Sequence, residues 1–269
     1  MIVSSVLSTV ASNTATTAAL IPLVLSVCIT AGIPASRLLM PMAFASGFGG
    51  ISALIGTPPN VIVSEALREG GFRPFGFFEF AWVGIPMAFA GMLYMDLIGR
   101  RLLPSSLVSV PANRLPDVQP ESKPRPRQMW VCGSILLIVV AVMALNLKEV
   151  PLEFVAVGGA VACVLTGCIG RKEAVESIEW ETLILFGSMF AIAVAMDKSG
   201  ASKMIAGGMM RVAGPESSGY LVVGGVLIVN MFMGLFLSNT VCAVFLAPIG
   251  LSLAAGIGAN PHAILMTIA

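Results

Sequence analysis

Four long stretches of this sequence contain no Asp, Glu, Lys or Arg, and this feature limits the possible folds more than any other. They cover residues 1–36, 38–64, 128–147 and 217–269. A helix needs roughly 20 apolar residues to cross the hydrocarbon core of a bilayer. Only 11% of the residues are charged, against about 25% in soluble domains. We therefore predict an all-α polytopic membrane protein, since the short alternating segments of a transmembrane β-barrel are absent from the sequence.

The polar motif Ser-Asn-Thr occurs twice within apolar sequence, at residues 12–14 and 238–240. A shift of 226 positions brings the two copies into register, and the same shift places Gly32 on Gly258. A motif repeated at one constant offset is typical of transporters that are built from inverted repeats. The alternative, in which the motifs are polar kinks that stabilise helix packing, is disfavoured by this constant register. We therefore predict an inverted-repeat transporter fold.

Each Ser-Asn-Thr motif is predicted to form the tip of a re-entrant helical hairpin, at residues 1–31 and 219–256. In the first hairpin, residues 15–31 are expected to form a short second helix. Residues 36–69 follow, and the motif Gly-Thr-Pro-Pro-Asn at positions 56–60 must interrupt them, because consecutive prolines cannot sustain the helical hydrogen-bond ladder. We expect a broken helix whose first part ends near residue 54.

A polar, proline-rich linker at residues 100–128 contains six of the fifteen Lys and Arg residues. It separates a first-repeat part, residues 1–99, from a second-repeat part, residues 129–269, and its positive charge predicts a cytoplasmic location. The 226-residue shift predicts another Gly-Thr-Pro-Pro-Asn-like motif near positions 282–286, so we expect the sequence to be a fragment of a longer carrier. Further spans are predicted at residues 81–99, 129–147, 152–169 and 181–197, and the start of a second broken helix at 261–269.

The two tips are predicted to bind ions without any charged side chain. Each motif precedes an apolar helix, at the position where Ser, Asn and Thr cap free N–H groups, and a helix N-terminus attracts anions. The preceding helix ends at the same tip with free carbonyl groups, which suit a small cation. Ser8 lies one turn before Ser12 and is placed to add a hydroxyl to the first cation site, whereas the repeat has Gly234 there. We predict that the two tips meet within the bilayer and hold a divalent anion beside sodium.

Four longer segments can be compared with known families: SNTATTA, LLMPMAFASGFGGISALIGTPPN, FGFFEFAWVGIPMAFAGMLYM and GRRLLP. Together they resemble the divalent anion:sodium symporter family, the sodium/sulfate and di- and tricarboxylate carriers of the ion transporter superfamily. The resemblance covers essentially the whole chain. It implies inverted repeats with re-entrant hairpins and broken helices, a homodimer in the full-length protein, and an elevator mechanism in which a transport domain moves against a scaffold in the cell membrane.

The resemblance also implies which residues bind the transported ions. The residues expected to contact the substrate anion are Ser12, Asn13, Thr14, Thr57, Pro58, Ser238, Asn239 and Thr240. The residues expected to hold one sodium ion are Ser8, Ser12, Asn13 and Gly56, with Asn239 helping to hold a second. Sodium is thus expected as the coupling ion, and no organic cofactor is expected.

Sodium-coupled symport of a divalent anion, either sulfate or a di- or tricarboxylate, is the leading hypothesis. One alternative is a proton-coupled or metalloid-anion carrier of the same superfamily, such as a sodium/proton antiporter or an arsenite exporter, which would need an intramembrane carboxylate. Another is a non-transporting membrane receptor or scaffold. His262 is interpreted as a helix-boundary residue rather than a proton relay. No nucleophile–base set indicates an enzyme, and no basic cluster suits nucleic acid, so the expected partners are the anion and the lipid bilayer.

Overall fold

The computed structural model describes residues 1–103, 126–145, 152–178, 180–213 and 219–269. Within these ranges every regular element is a helix, as the prediction of an all-α protein requires. The helices are α1 (Ile2–Val10), α2 (Asn13–Ala31), α3 (Ser36–Gly50), α4 (Pro58–Glu69), α5 (Ala81–Tyr94), α6 (Arg100–Leu102), α7 (Pro126–Ala144), α8 (Leu152–Leu165), α9 (Arg171–Glu176), α10 (Trp180–Ser199), α11 (Ala201–Ala213), α12 (Gly219–Gly234), α13 (Asn239–Ile257) and α14 (Pro261–Ile268), and a π-helical turn (Met95–Gly99) joins α5 to α6.

The described residues form two compact units. The first consists of Met1–Gly56 and Gly76–Ile178, and the second of Thr57–Phe75 and Glu179–Ala269. These units group residues by contact and leave the predicted repeats as a prediction: α4 comes from the first half of the chain and packs on α13 and α14 of the second half. The first unit therefore contains α1 to α3 and α5 to α9, and the second contains α4 and α10 to α14.

In the first unit, the hairpin formed by α1 and α2 packs on α3 through small side chains. A Cβ atom added at Gly49 of α3 would collide with the backbone carbonyl of Ser5 in α1. The two backbones therefore approach closely, as small residues allow in membrane helices. Helix α3 also packs on α5, where a Cβ added at Gly91 would collide with the ring of Phe48.

The chain between α3 and α4, residues 51–57, forms turns instead of a helix. Two positions differ from the prediction. Helix α3 ends at Gly50 rather than near residue 54, and α4 begins at Pro58, so both prolines of the motif lie in its first turn. Proline is favoured there because the first N–H groups of a helix have no intrahelical partner and the fixed φ angle of proline suits helix entry. The break therefore precedes the prolines.

The second helix of the first hairpin is longer than predicted. Helix α2 has 19 residues, and its C-cap, Gly32, has a φ of 64° in the left-handed region. Its repeat partner α13 also has 19 residues and ends at Gly258, with a φ of 63°. At 1.5 Å per residue, such a helix is about 28 Å long. By length and composition α2, α13 and the segment Ala81–Leu102 are each able to cross a membrane.

The ends of the predicted linker are helical. Helix α6 extends the predicted span at 81–99 to Leu102, and α7 begins at Pro126, so the predicted linker at 100–128 is helical at both margins. The centre of the linker, residues 104–125, lies outside the described residues, as do residues 146–151, which include the end of the predicted span at 129–147. Helices α8 and α10 lie within or around the predicted spans at 152–169 and 181–197.

In the second unit α13 is the central helix and packs on α4, α10, α11, α12 and α14. The amide Nδ2 of Asn230 in α12 donates to the carbonyl oxygens of Thr267, at 3.4 Å, and Ile268, at 3.0 Å. The side chain of Asn230 therefore binds the last carbonyl groups of α14, which have no partner within that helix.

His262 lies at the start of α14, between two hydrogen-bonding groups. Its Nδ1 is 3.0 Å from Oδ1 of Asn260, the N-cap of the helix, and its Nε2 is 2.8 Å from the carbonyl oxygen of Arg73. The ring of Phe75 meets the imidazole edge-on, with the ring centroids 5.3 Å apart. His262 thus joins the start of a helix to the loop after α4, which agrees with its interpretation as a boundary residue.

Candidate functional site

Both Ser-Asn-Thr motifs begin a helix in the same way. Ser12 has extended backbone angles, and its Oγ accepts a hydrogen bond from the N–H of Ala15 at 3.2 Å. Ser238 has nearly the same angles, and its Oγ accepts from the N–H of Val241 at 3.4 Å. In each motif only the serine is the N-cap, whereas Asn and Thr are the first two helical residues. The remaining N–H groups of the first turn therefore point towards the tip and give it a partial positive charge.

Three polar residues of the first unit form what we call the first-tip cluster: Ser8 of α1, Asn13 of α2 and Ser46 of α3. Oγ of Ser8 donates a hydrogen bond to Oδ1 of Asn13 at 2.5 Å. The hydroxyl of Ser46 lies 3.2 Å from Oγ of Ser8 and 3.1 Å from the carbonyl oxygen of Asn13. Ser8 and Ser46 are fully buried. The cluster therefore joins all three helices at the tip through uncharged oxygen atoms.

Two glycines bring the break between α3 and α4 close to this cluster. A Cβ atom added at Gly50 would collide with Oδ1 of Asn13, and one added at Gly56 would collide with the carbonyl oxygen of Gly50. Gly56 is therefore connected to the first-tip cluster through Gly50. Of the four residues expected at the first sodium site, the structure brings Ser8, Asn13 and Gly56 together in this way, while the Ser12 hydroxyl caps α2 and is exposed.

The chemistry of the first-tip cluster fits a hard cation. Its ligating atoms are hydroxyl, amide and carbonyl oxygens, and hard cations prefer oxygen ligands. In the part of the chain that the structure describes, no group of three His, Cys, Asp or Glu residues is placed to hold a metal ion. An alkali ion held by neutral oxygens next to a helix N-terminus can in turn attract an anion. The geometry therefore suits a cation and an anion that bind side by side.

The remaining substrate residues of the first half lie in different surroundings. Thr14 and Pro58 are exposed, whereas Thr57 precedes α4 as its N-cap without using its side chain for capping. Oγ1 of Thr57 is buried, and within the described ranges it has no hydrogen-bond partner. A buried hydroxyl without a partner costs about 1–3 kcal/mol. Thr57 thus offers a free hydroxyl at the N-terminus of α4. It belongs to the second unit.

The second tip has no counterpart of the first-tip cluster. Ser238 and Asn239 are exposed and Thr240 is half-buried. Gly234 stands where the first hairpin has Ser8, and among the described residues no hydrogen bond of the Asn239 side chain is present. The first tip belongs to the first unit and the second tip to the second. A site that both tips share therefore stays a prediction.

Ser46 and Gly50 are the residues of the first tip that the sequence analysis did not identify. A signal for them was present. The segment Ser36–Gly50 contains two pairs of small residues spaced four apart, Ala45 with Gly49 and Ser46 with Gly50. Such spacing in a membrane helix marks a face where another helix approaches closely. All four are buried.

The profile of the citrate transporter family (CitMHS) matches residues 1–269, which is the whole chain. The chain belongs to this citrate transporter family. The resemblance to anion carriers of the ion transporter superfamily is thereby confirmed. Members of the citrate transporter family are transporters rather than enzymes, so the exclusion of an enzyme is confirmed as well. The chain thus combines apolar helices, three of them able to cross a membrane by length and composition, with membership in a family of transporters.

Three relatives show how much of a carrier the chain covers. An uncharacterized transporter of Mycobacterium bovis is 28% identical over 83% of this chain and 52% of its own length. An uncharacterized transporter of Mycobacterium tuberculosis is 29% identical over 97% of this chain and 60% of its own length. The uncharacterized transporter YfbS of Escherichia coli is 32% identical over 59% of this chain and 25% of its own length. The chain thus spans about half the length of the first of these relatives.

Proposed function

We propose that this protein is a multi-pass carrier of the cell membrane that couples sodium entry to symport of a small divalent or trivalent anion. The first-tip cluster is the observation that carries this proposal. It places uncharged oxygens of Ser8, Asn13 and Ser46 beside the capped N-terminus of α2. A carrier must release its substrate as readily as it binds it, and neutral ligands with a cation that dissociates meet this need better than a fixed Lys or Arg, which is costly to bury in a bilayer.

Sodium is proposed to bind at the first tip through Ser8, Ser12, Asn13 and Gly56. The close approach of Gly50 to Asn13 and of Gly56 to Gly50 supports this set, because it brings backbone carbonyls to the same place. Carbonyl groups at breaks in membrane helices are typical ligands of coupling ions. Asn239 is proposed to hold a second sodium ion with less support from side chains, since Gly234 offers no hydroxyl.

The substrate is proposed to be a di- or tricarboxylate, with sulfate as the other anion of suitable charge. The description of the citrate transporter family supports a carboxylate. The proposed contacts are Ser12, Asn13 and Thr14 at one helix N-terminus, their repeat counterparts Ser238, Asn239 and Thr240 at the other, and Thr57 and Pro58 at the start of α4. The unpaired, buried hydroxyl of Thr57 supports its role, because it can donate a hydrogen bond to a carboxylate oxygen. An elevator motion and a homodimer belong to the same proposal.

Uptake into proteoliposomes tests the proposal. The protein, expressed from its complete reading frame, is reconstituted and supplied with labelled citrate, succinate or sulfate under an inward sodium gradient, with a potassium gradient and a proton gradient as separate arms. We expect uptake of one of these anions only with sodium. Asn13→Ala should lower uptake about tenfold or more, because a hydrogen bond to a charged ligand contributes about 1.5–3 kcal/mol. Ser26→Ala is the matched control, since Ser26 is exposed on the same helix α2.

Each other outcome identifies an alternative. Uptake that follows the proton gradient and ignores sodium would replace the proposal by a proton-coupled carrier. Absence of uptake, combined with anion-dependent thermal stabilisation that Asn13→Ala leaves unchanged, would indicate a receptor or scaffold that does not use this tip.

A further inference from the structure

The second unit contains a cavity of about 830 Å³ whose lining includes no residue of either Ser-Asn-Thr motif. It lies between α4, α10, α11 and α13, and most of its wall is apolar. The wall includes Val61 and Ile62 of α4, Val194 of α10, Ala206 of α11, and Leu251 of α13. A cavity with such walls in a membrane protein can hold acyl chains, because these side chains are as apolar as lipid tails.

Charges of both signs line the same cavity without neutralising each other. Glu65 and Glu69 come from α4, Lys198 from α10 and Lys203 from α11. Glu65 pairs with Arg68 at 2.7 Å, but over the described ranges Glu69, Lys198 and Lys203 take part in no ion pair. Arg68 acts electrostatically on Glu69 as well as on Glu65, so these two carboxylates share one guanidinium group, while in the described part of the chain Lys198 and Lys203 face the cavity without an ion pair.

Three of these charged residues lie at helix ends. Glu69 is the last residue of α4, Lys198 is in the last turn of α10, and Lys203 is in the first turn of α11. Charged residues at the ends of apolar membrane helices extend towards the interface between hydrocarbon and water. The charged part of the cavity thus lies at the ends of three helices, and the apolar walls extend from it along them.

We propose that this cavity binds one zwitterionic phospholipid of the phosphatidylethanolamine type. The ammonium group of the headgroup would pair with Glu69, the phosphate with Lys198 and Lys203, and the acyl chains would lie along the apolar walls. Charge complementarity selects this occupant: an anionic phospholipid would satisfy the lysines but would bring no cation to Glu65 and Glu69, which share Arg68. The site is independent of the proposed transport function, because it uses none of the tip residues.

Lipid retention tests the proposal without a transport assay. The protein, expressed from its complete reading frame, is purified in detergent, delipidated, and mixed with phosphatidylethanolamine or phosphatidylglycerol, and bound lipid is counted by native mass spectrometry. We expect one retained phosphatidylethanolamine per protomer and weaker retention of phosphatidylglycerol. Glu69→Gln should reduce phosphatidylethanolamine retention about threefold and raise that of phosphatidylglycerol, whereas Lys203→Gln should reduce both, in keeping with the modest strength of exposed ion pairs.

Three further variants keep the test decisive. Ala255→Trp adds a large side chain at the wall of the cavity and should displace both lipids, while Ala160→Trp, on an exposed face of α8, should not. Lys172→Gln, an exposed lysine of α9, is the control for loss of positive charge. Equal retention of both lipids, no effect of Glu69→Gln, or no retained lipid because another segment of the protein fills the cavity would each overturn the proposal. Loss of sodium-dependent uptake with normal lipid retention would count against the transport proposal alone.

Discussion

The two hairpin tips have the same backbone but different surroundings. Each begins its second helix at a capping serine, runs for 19 residues and ends at a glycine with φ near 63°. At the first tip, Asn13 is bound by side chains from two other helices, whereas at the second tip Asn239 is exposed and Gly234 replaces Ser8. The comparison shows that local sequence determines the backbone shape of a tip, while residues from neighbouring helices determine which polar groups surround it.

For the proposed carrier, this difference predicts two unequal cation sites. The first tip supplies three side-chain oxygens before any ion binds, from Ser8, Asn13 and Ser46. The second tip supplies only its own motif, so it depends on whatever the rest of the protein contributes. We therefore expect that sodium binds more tightly at the first tip than at the second.

The largest effect is expected from Gly50→Ala. The added Cβ would collide with Oδ1 of Asn13, so the hairpin must shift away from α3, at a cost of about 1–3 kcal/mol for an overpacked site. Thermal unfolding followed by size-exclusion chromatography would measure this loss, and uptake should disappear with it. Gly47→Ala is the matched control, because nothing lies within 4 Å of a Cβ at that position. Equal stability of the two variants would show that Asn13 is not held against α3.

A paired substitution of the two asparagines should separate stability from function. Asn13→Ala removes the acceptor of the buried Ser8 hydroxyl and should lower the free energy of unfolding by about 1–3 kcal/mol. Asn239→Ala changes an exposed side chain and should change it by less than about 0.5 kcal/mol. Both should abolish anion-dependent stabilisation in the same unfolding assay. If the two variants lose stability equally, the second tip is as well supported as the first.

A smaller effect is expected on the sodium dependence. Ser8→Ala removes one hydroxyl of the first-tip cluster, and a single hydrogen bond contributes about 1 kcal/mol, so the sodium concentration for half-maximal uptake should rise about fivefold. Gly234→Ser tests the reverse change, because it adds a hydroxyl one turn before the second tip. It should lower the sodium requirement or leave it unchanged. An unchanged requirement in Ser8→Ala would remove Ser8 from the sodium site.

The smallest difference is expected between the two capping serines. Ser12→Ala and Ser238→Ala each remove one N-cap hydrogen bond and should each cost about 0.5–2 kcal/mol. The two losses should be the same within the error of an unfolding measurement, because the backbone angles of the two serines nearly coincide. A clear difference would mean that the caps, and not only the surroundings, distinguish the tips.

The local features of the fold could be predicted from the sequence, and the long-range ones could not. The serine caps and the motif repeated at a constant offset depend on a few neighbouring residues, whose preferences are strong. The hydroxyl of Ser46 donates a hydrogen bond to the carbonyl oxygen of Asn13, which lies 33 positions earlier in the sequence. Helix α4 likewise packs on the later helix α13. No periodic pattern in one segment reports a partner in another. The sequence predicts that α3 ends near residue 54, four residues beyond Gly50, because the segment itself does not report that Gly49 approaches Ser5 of α1 and Gly50 approaches Asn13 of α2.

The direction of the hydrogen bond from Ser8 to Asn13 bears on how quickly the first tip would bind the proposed sodium ion. The hydrogen of the Ser8 hydroxyl points at Oδ1 of Asn13, so without an ion these atoms satisfy each other. To face a cation, the hydroxyl needs only to rotate about its Cβ–Oγ bond, which frees lone pairs on both oxygens while the backbone stays in place. Rotations of single side-chain bonds are far faster than movements of whole domains. Loading would then be limited by how quickly the ion arrives and sheds its water, and the slow step of a cycle would lie elsewhere.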